Sequence, residues 1–144
     1  MAVSTNQGGS LEFIGIGAFH HFLTISNELN SSKVLNCPSD KKRRRATDFA
    51  SFSTRNLSYF VGLDADEHYP TMILSGDRNV TTNGDTRPGV VTFREGSSIA
   101  WTKDIHPHSG NLGLADGSVL QANDAILTNQ ISLSAWLTVR LEVP

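Results

Sequence analysis

The sequence predicts an α+β domain in which an N-terminal helix packs on a small antiparallel sheet with hairpins. Three observations support this prediction. An apolar pattern with helical spacing comes early, short apolar segments separated by polar turns follow, and an Asp-Gly pair lies between two of those segments. The chain lacks the regular alternation of helix and strand that is typical of a parallel α/β sheet.

The early helix is predicted over residues 17–30, where apolar side chains recur at helical spacing and Asn30 begins a polar stop. Residues 33–37 are predicted to form a short strand that Pro38 halts. Residues 46–53 are predicted to form a short helix with two phenylalanines on one face.

The strand predictions begin at residues 57–63, which are rich in aromatic and β-branched types. Three further strands are predicted: one from residue 72 and two at 90–93 and 99–101. Asp116-Gly117 separates two apolar runs and predicts a tight hairpin turn, because such a turn needs positive φ. A last helix is expected after Asn123 or Asp124, and the strict alternation at 137–143 leaves helix and strand both open for the end of the chain.

Length and composition suit one soluble domain spanning residues 1–144. The 12 Lys and Arg against 14 Asp and Glu give a formal net charge of −2, so we expect no general attraction to nucleic acid. No stretch approaches the roughly 20 consecutive apolar residues of a membrane span. The lone Cys37 is expected to be a small buried hydrophobe, and its solitude argues against an intrachain disulfide and a cysteine-based zinc site.

A run of five basic residues is the candidate interaction surface: Lys41, Lys42, Arg43, Arg44 and Arg45. Such a run can bind phosphates or anionic lipid. It contains no aromatic side chain on which bases would stack, and the rest of the chain is acidic. A solvated loop is therefore the favoured interpretation.

Acidic loops provide the candidate metal ligands Asp64, Asp66 and Asp77, with calcium as the candidate ion because it prefers carboxylate oxygens. The twelve-residue EF-hand pattern is absent, and a solvated acidic loop is the alternative. His106-Pro107-His108 can present two imidazoles to a transition metal, although it defines no third ligand.

The sequence contains no nucleophile elbow, phosphate-binding loop or His-Glu-x-x-His motif, so we expect no enzymatic activity. Asp77 beside Arg78 is expected to form a structural ion pair. A hydrolase that uses His106 with Asp116 or Asp77 is kept only as a third hypothesis.

His106 is followed by nine residues and then by Asp116-Gly117. This spacing resembles the His-x9-Asp-Gly signature of the prepilin-processing-associated, type II secretion pseudopilin-like proteins. Four further blocks, in the same order, are also similar to that family: 26–29, 33–40, 58–65 and 74–79. The resemblance extends over about residues 5–122.

The resemblance implies a pseudopilin-like head that acts as a non-enzymatic structural subunit at the periplasmic or extracellular face of the bacterial inner membrane. Its partners would be other pilin-like or secretion-system subunits. Membrane contact is expected only through an N-terminal hydrophobic helix that this chain does not contain. No family calcium ligand aligns here, and His106 and Asp116 are expected to serve the hairpin structurally. The alternative is a free extracytoplasmic module that binds a cation or a glycan through the acidic loops.

Overall fold

A computed structural model describes residues 3–82, 84–85, 87–94, 96–134 and 139–144. The strands are β1 (Tyr59–Gly62), β2 (Ile73–Asp77), β3 (Val80–Thr82), β4 (Gly89–Phe93), β5 (Ile99–Trp101), β6 (Ser109–Leu114), β7 (Val119–Asn123) and β8 (Val139–Val143). Six of them form one sheet in the order β4-β8-β1-β2-β6-β7, and β3 pairs with β5. Every one of these pairings is antiparallel. The α+β class is therefore confirmed.

The α-helices are α1 (Phe19–Thr24), α2 (Ser26–Leu29) and α3 (Asp124–Ser134). Single 3₁₀ turns lie at Thr5–Gln7, Leu11–Phe13, Ser32–Leu35 and Thr54–Asn56. Within the described ranges, no helix combines the length and the hydropathy that crossing a membrane requires.

The predicted early helix exists but is split into α1 and α2. Ile25 leaves helical geometry between them, with φ −106° and ψ 23°. Asn30 ends α2 in the left-handed region, and its N–H donates to the carbonyl of Ser26. Asn accepts this conformation more readily than most residues do, so the sequence placed the helix end correctly.

Two local predictions are wrong. Residues 33–37 do not form a strand, because Ser31 Oγ accepts from the N–H of Lys33 at 3.4 Å and starts a 3₁₀ turn. Residues 46–53 do not form a helix, because the Asp48 carboxylate accepts from the N–H of Ser51 at 2.8 Å and closes a turn instead.

The hairpin predicted around Asp116-Gly117 is confirmed as β6 and β7, paired from Ser109↔Asn123 to Gly113↔Val119. Asn123 Oδ1 accepts from the N–H of Ile126 at the start of α3, as expected of a helix cap. The open question at the chain end is settled for residues 139–143, which form β8 between β1 and β4. Residues 137 and 138 lie outside the described residues.

The core consists of two hydrophobic clusters that share β1. Phe60 belongs to the larger one, together with residues of β2, β6, β8 and α3. Its neighbour Val61 belongs to the second cluster, against which residues of α1 pack. Successive residues of a strand point to opposite faces, so β1 lies between two apolar layers. Both side chains are at most 2% exposed.

Candidate functional site

The side chains of Cys37, Asp77 and His106 meet in one place, which we call the Cys–Asp–His cluster. Cys37 Sγ lies 3.6 Å from His106 Nε2, and that nitrogen lies 3.8 Å from Asp77 Oδ2. One ligand atom from each residue lies within 4.8 Å of the others. Cys37 and Asp77 are buried, whereas the His106 side chain is 32% exposed.

Strand geometry and backbone contacts position the Asp77 carboxylate at the end of β2. Its Oδ2 accepts from the backbone N–H of Asn111 at 2.7 Å and from the side-chain amide of Asn111 at 3.0 Å. Burial raises the pKa of Asp77 above its ordinary value, although the Asn111 bonds and nearby His106 favour the charged form. Tyr59 pairs with Asp77 in the sheet, and burial with the charges of Cys37 and Asp77 raises the pKa of Tyr59 to about 12.

Asn79 fixes the loop that carries His106. Its amide nitrogen lies 3.1 to 3.3 Å from the backbone carbonyl oxygens of Thr102, His106 and Ser109. The N–H of Ser109 also donates to the carbonyl of His106. Asn79 is only 2% exposed, so its hydrogen bonds attach this loop to the buried core.

A buried ion pair adjoins the cluster. Arg78 donates to both carboxylate oxygens of Asp40, at 2.6 and 2.7 Å. Burial raises the pKa of Asp40, but the hydrogen bonds and charge of Arg78 outweigh that effect and hold it below its ordinary value. The expected pairing of Arg78 with its neighbour Asp77 is therefore wrong, because the guanidinium of Arg78, which follows the end of β2, binds both oxygens of the Asp40 carboxylate instead.

The predicted acidic metal ligands lie in two separate places. Asp64 receives the Arg140 guanidinium and backbone N–H, at distances from 2.5 to 3.1 Å. Asp66 Oδ1 lies 2.6 Å from His68 Nδ1. This hydrogen bond and the negative charge of Asp66 raise the pKa of His68. Asp77 lies beside Tyr59, the first residue of β1, whereas Asp64 comes two residues after Gly62, the last residue of that strand. The structure therefore does not gather these carboxylates into one site.

The basic run does not form a uniform surface. Lys42 Nζ contacts Asp104 at 2.6 Å, and Arg43 Nη2 donates to the backbone oxygen of Pro144 at 2.8 Å. Arg43 is partly buried, and burial together with nearby Arg78 lowers its pKa. Lys41, Arg44 and Arg45 are exposed, as is Lys42.

The two ends of the His-x9-Asp-Gly spacing have different roles. Asp116 Oδ1 accepts from the N–H of Ser118 at 2.8 Å and from its hydroxyl at 2.6 Å, while Gly117 takes φ +84°. Asp116 lies in the hairpin turn but does not begin it, because the N–H of Gly117 donates to the carbonyl of Leu114 and places Ala115 first in the turn. His106 comes just before the start of β6 and Asp116 just after its end, so the imidazole contacts Cys37 and Asp77 instead of the turn.

A second polar network has no counterpart in the sequence predictions. His21 lies 2.8 Å from Ser10 Oγ through Nδ1 and 3.1 Å from Glu142 Oε2 through Nε2. Gly15 N–H also donates to Glu142. The order of groups is that of a Ser-His-acid relay, yet Ser10 and His21 are each 5% exposed and Glu142 is 1% exposed. We assign this network to the joining of the N-terminal segment and β8.

The sequence predictions also miss the Cys–Asp–His cluster, because they treat its three residues separately. Asp77 and His106 were singled out for different reasons, and Cys37 was interpreted as a buried hydrophobe. Cys37 is indeed buried, at 7% exposure. The exclusion of a cysteine-based zinc site was too broad, because one thiolate with an imidazole and a carboxylate is also a zinc ligand set.

Comparison with known proteins provides no relative. No family model matches the sequence, and no curated protein and no solved structure shows a significant match.

Proposed function

We propose that the protein is a non-enzymatic structural or interaction subunit, similar to the head of a pseudopilin in a type II secretion or type IV pilus-like assembly. The observation that carries this proposal is the meeting of four of the five resembling blocks in one buried region. They are the blocks at 33–40, 58–65 and 74–79 and the signature that begins at His106.

Specific contacts join these blocks. Asp40 of the first block pairs with Arg78 of the third, and Cys37 of the first lies against His106 of the signature. In the second block, the carbonyl of Ser58 accepts from the N–H of Arg78 at 2.9 Å, and its N–H donates to Leu35 at 3.0 Å. Because the resembling blocks contact one another in this way, we take their residues to form a shared framework, and this supports the resemblance to the pseudopilin-like family.

The N-terminal helix of the proposed head corresponds to α1 and α2. Phe19, Phe22 and Leu23 of α1 pack against the second hydrophobic cluster, which includes Val61 of β1. We infer that these helices cover one face of the sheet, as the pseudopilin-like arrangement requires. The subunit would then meet other pilin-like or secretion-system subunits at the periplasmic or extracellular face of the inner membrane.

The proposed assembly contact is testable by cross-linking in the native bacterium. The tagged, full-length protein is cross-linked in cells, purified under denaturing conditions, and its partners are identified by mass spectrometry. We expect chains with a prepilin peptidase site and a following apolar helix. Recovery of the protein without any such chain would contradict the proposal.

The basic run is tested in the same experiment. Replacing Lys41, Arg44 and Arg45 by Ser removes three exposed charges from the run. The matched control replaces Lys33, Arg94 and Lys103 by Ser, three exposed basic residues outside the run. If the run is a docking surface, only the first variant loses the cross-links. If both variants keep them, the run is a solvated loop and the contact lies on another surface.

A free module that binds a cation or a glycan through the acidic loops ranks second. Asp64 and Asp66 already contact Arg140 and His68, and those cations compete with a metal for the carboxylates. A calcium-dependent rise in Tm that a chelator reverses and that Asp66→Asn abolishes would favour this alternative for calcium.

A further inference from the structure

We propose that the Cys–Asp–His cluster binds a divalent transition metal of the zinc class, with Cys37 Sγ, a carboxylate oxygen of Asp77 and His106 Nε2 as its three protein ligands. This inference is independent of the assembly role. It rests on the spacing of the three groups, on their chemistry and on the contacts that hold them.

The spacing is close to that of a tetrahedral site. Zinc bonds of about 2.3 Å to sulfur and about 2.0–2.1 Å to nitrogen and oxygen place sulfur and nitrogen about 3.6 Å apart and nitrogen and oxygen about 3.4 Å apart. The Cys37–His106 separation is 3.6 Å and the His106–Asp77 separation is 3.8 Å. The third separation, between Cys37 Sγ and the Asp77 carboxylate oxygen, is within 4.8 Å, compared with about 3.6 Å in a tetrahedral site. Side-chain rotations that move the ligand atoms by about an ångström close the set.

The charges of the cluster also suit a divalent cation. A thiolate and a carboxylate supply two negative charges, and a neutral imidazole supplies a nitrogen lone pair. The hydrogen bonds that Asp77 accepts come from Asn111, which carries no charge, and the adjacent guanidinium of Arg78 is bound by Asp40. Ligands that include thiolate and imidazole select zinc-like metals over calcium and magnesium.

Surrounding contacts orient the ligands as a metal site requires. Asn111 holds the Asp77 carboxylate through two hydrogen bonds, and Asn79 holds the loop that carries His106. His106 is the exposed member of the set, at 32% of its side chain, so we infer that a metal ion and a water molecule as fourth ligand would approach from its side.

The direct test is a cobalt titration of the purified full chain, stripped of metal by a chelator and kept reduced. Cys37 is the only cysteine, so a thiolate-to-cobalt charge-transfer band reports this residue alone. We expect the band, together with the strong visible absorption of tetrahedral cobalt, to reach its limit at one equivalent. Added zinc should then abolish both signals.

Variants locate the site. Cys37→Ser should abolish the charge-transfer band, and both Cys37→Ser and Asp77→Asn should weaken zinc binding by at least about tenfold. The matched control is His108→Asn, which removes an exposed imidazole two residues from His106 and keeps a side chain that tolerates the local φ of +51°. This control should bind metal as the original chain does.

Two results would overturn the inference. One is a folded original chain that gives no charge-transfer band and no zinc binding at equimolar concentration. The other is metal binding that His108→Asn weakens while folded Cys37→Ser or Asp77→Asn leaves it unchanged. Because these measurements use the isolated chain, they do not depend on the outcome of the cross-linking experiment.

Discussion

At the residue scale, we expect removal of the Arg78 side chain to cause a large loss of unfolding free energy. It neutralises Asp40, and the two side chains are only 9% and 0% exposed. Arg78→Ala leaves a buried carboxylate without its cation, a change that typically costs about 3–5 kcal/mol of unfolding free energy. Urea denaturation of the purified chain measures the loss.

The exposed pair formed by Arg87 and Asp85 is the control for Arg78. The Arg87 side chain is 86% exposed, and water and salt screen such a pair. Arg87→Ala should leave the urea midpoint almost unchanged. Equal losses in the two variants would contradict the importance assigned to the buried pair.

Gly117 is required by backbone conformation and not by space. It takes φ +84°, and a Cβ at this position would have no atom within 4 Å. Gly117→Ala should therefore cost about 1–2 kcal/mol through the left-handed conformation alone. The comparison is Gly113→Ala in β6, whose Cβ would make an ordinary contact 3.8 Å from Ser75 and whose φ is not positive. A thermal melt that ranks Gly113→Ala as the more damaging change would contradict this explanation.

Residues whose roles are local were predictable from the sequence. Asp116 and Gly117 form a turn because their own side-chain and backbone chemistry suits one, and Asn30 ends a helix for the same kind of reason. Asp77 could not be assigned in this way. Its neighbours Cys37 and His106 come from distant parts of the chain, and no spacing in the sequence records that contact.

At the scale of the elements, the predictions succeed where the local pattern is strong and fail where it is weak. β5 is found at the predicted residues 99–101, and the hairpin lies where Asp-Gly predicted it. The predicted strand at 33–37 and the helix at 46–53 fail because polar side chains compete for the backbone there. Ser31 and Asp48 each accept from a nearby N–H, and these short-range bonds override weak apolar patterns.

α3 is held by its buried face, so a substitution on that face tests the packing of a whole element. Leu127 is fully buried in the larger cluster, whereas Leu133 of the same helix is 52% exposed. Leu127→Ala should cost about 2–5 kcal/mol of unfolding free energy, because it deletes packed methyl groups and leaves a cavity.

The paired variant Leu133→Ala makes the same Leu-to-Ala change in the same helix, but it removes little buried area. It should cost less than about 0.5 kcal/mol in the same denaturant titration. Similar losses for Leu127→Ala and Leu133→Ala would contradict the packing role assigned to Leu127, because Ala has the higher helix propensity and a propensity change alone causes no loss.

At the scale of the whole molecule, Glu142 connects the two ends of the described chain through His21 and Gly15. Burial alone would raise the pKa of Glu142, but the hydrogen bonds from His21 and Gly15 lower it below the ordinary 4.5. The folded state therefore holds the proton less tightly than the unfolded state. The stabilisation that ionised Glu142 provides is present above about pH 4.5, and it is lost as the pH falls through the pKa of Glu142 in the folded state.

Glu142→Gln should flatten this acid loss of stability, since the amide does not titrate. The control Glu67→Gln removes an exposed carboxyl and the same charge. Thermal melts between pH 3 and pH 7 compare the three chains. An acid dependence that Glu142→Gln leaves intact, or that Glu67→Gln removes equally, would contradict the role assigned to Glu142.

The sequence by itself determined the α+β class, the positions of most strands along the chain, the hairpin turn and the net negative charge. Each of these follows from residue type, short-range periodicity or charge, which act locally. The tertiary structure brought Cys37, Asp77 and His106 together, paired Arg78 with Asp40, and made the end of the chain a strand inside the sheet. These contacts join residues tens of positions apart, and they arise from the burial and pairing of strands, which no local pattern encodes.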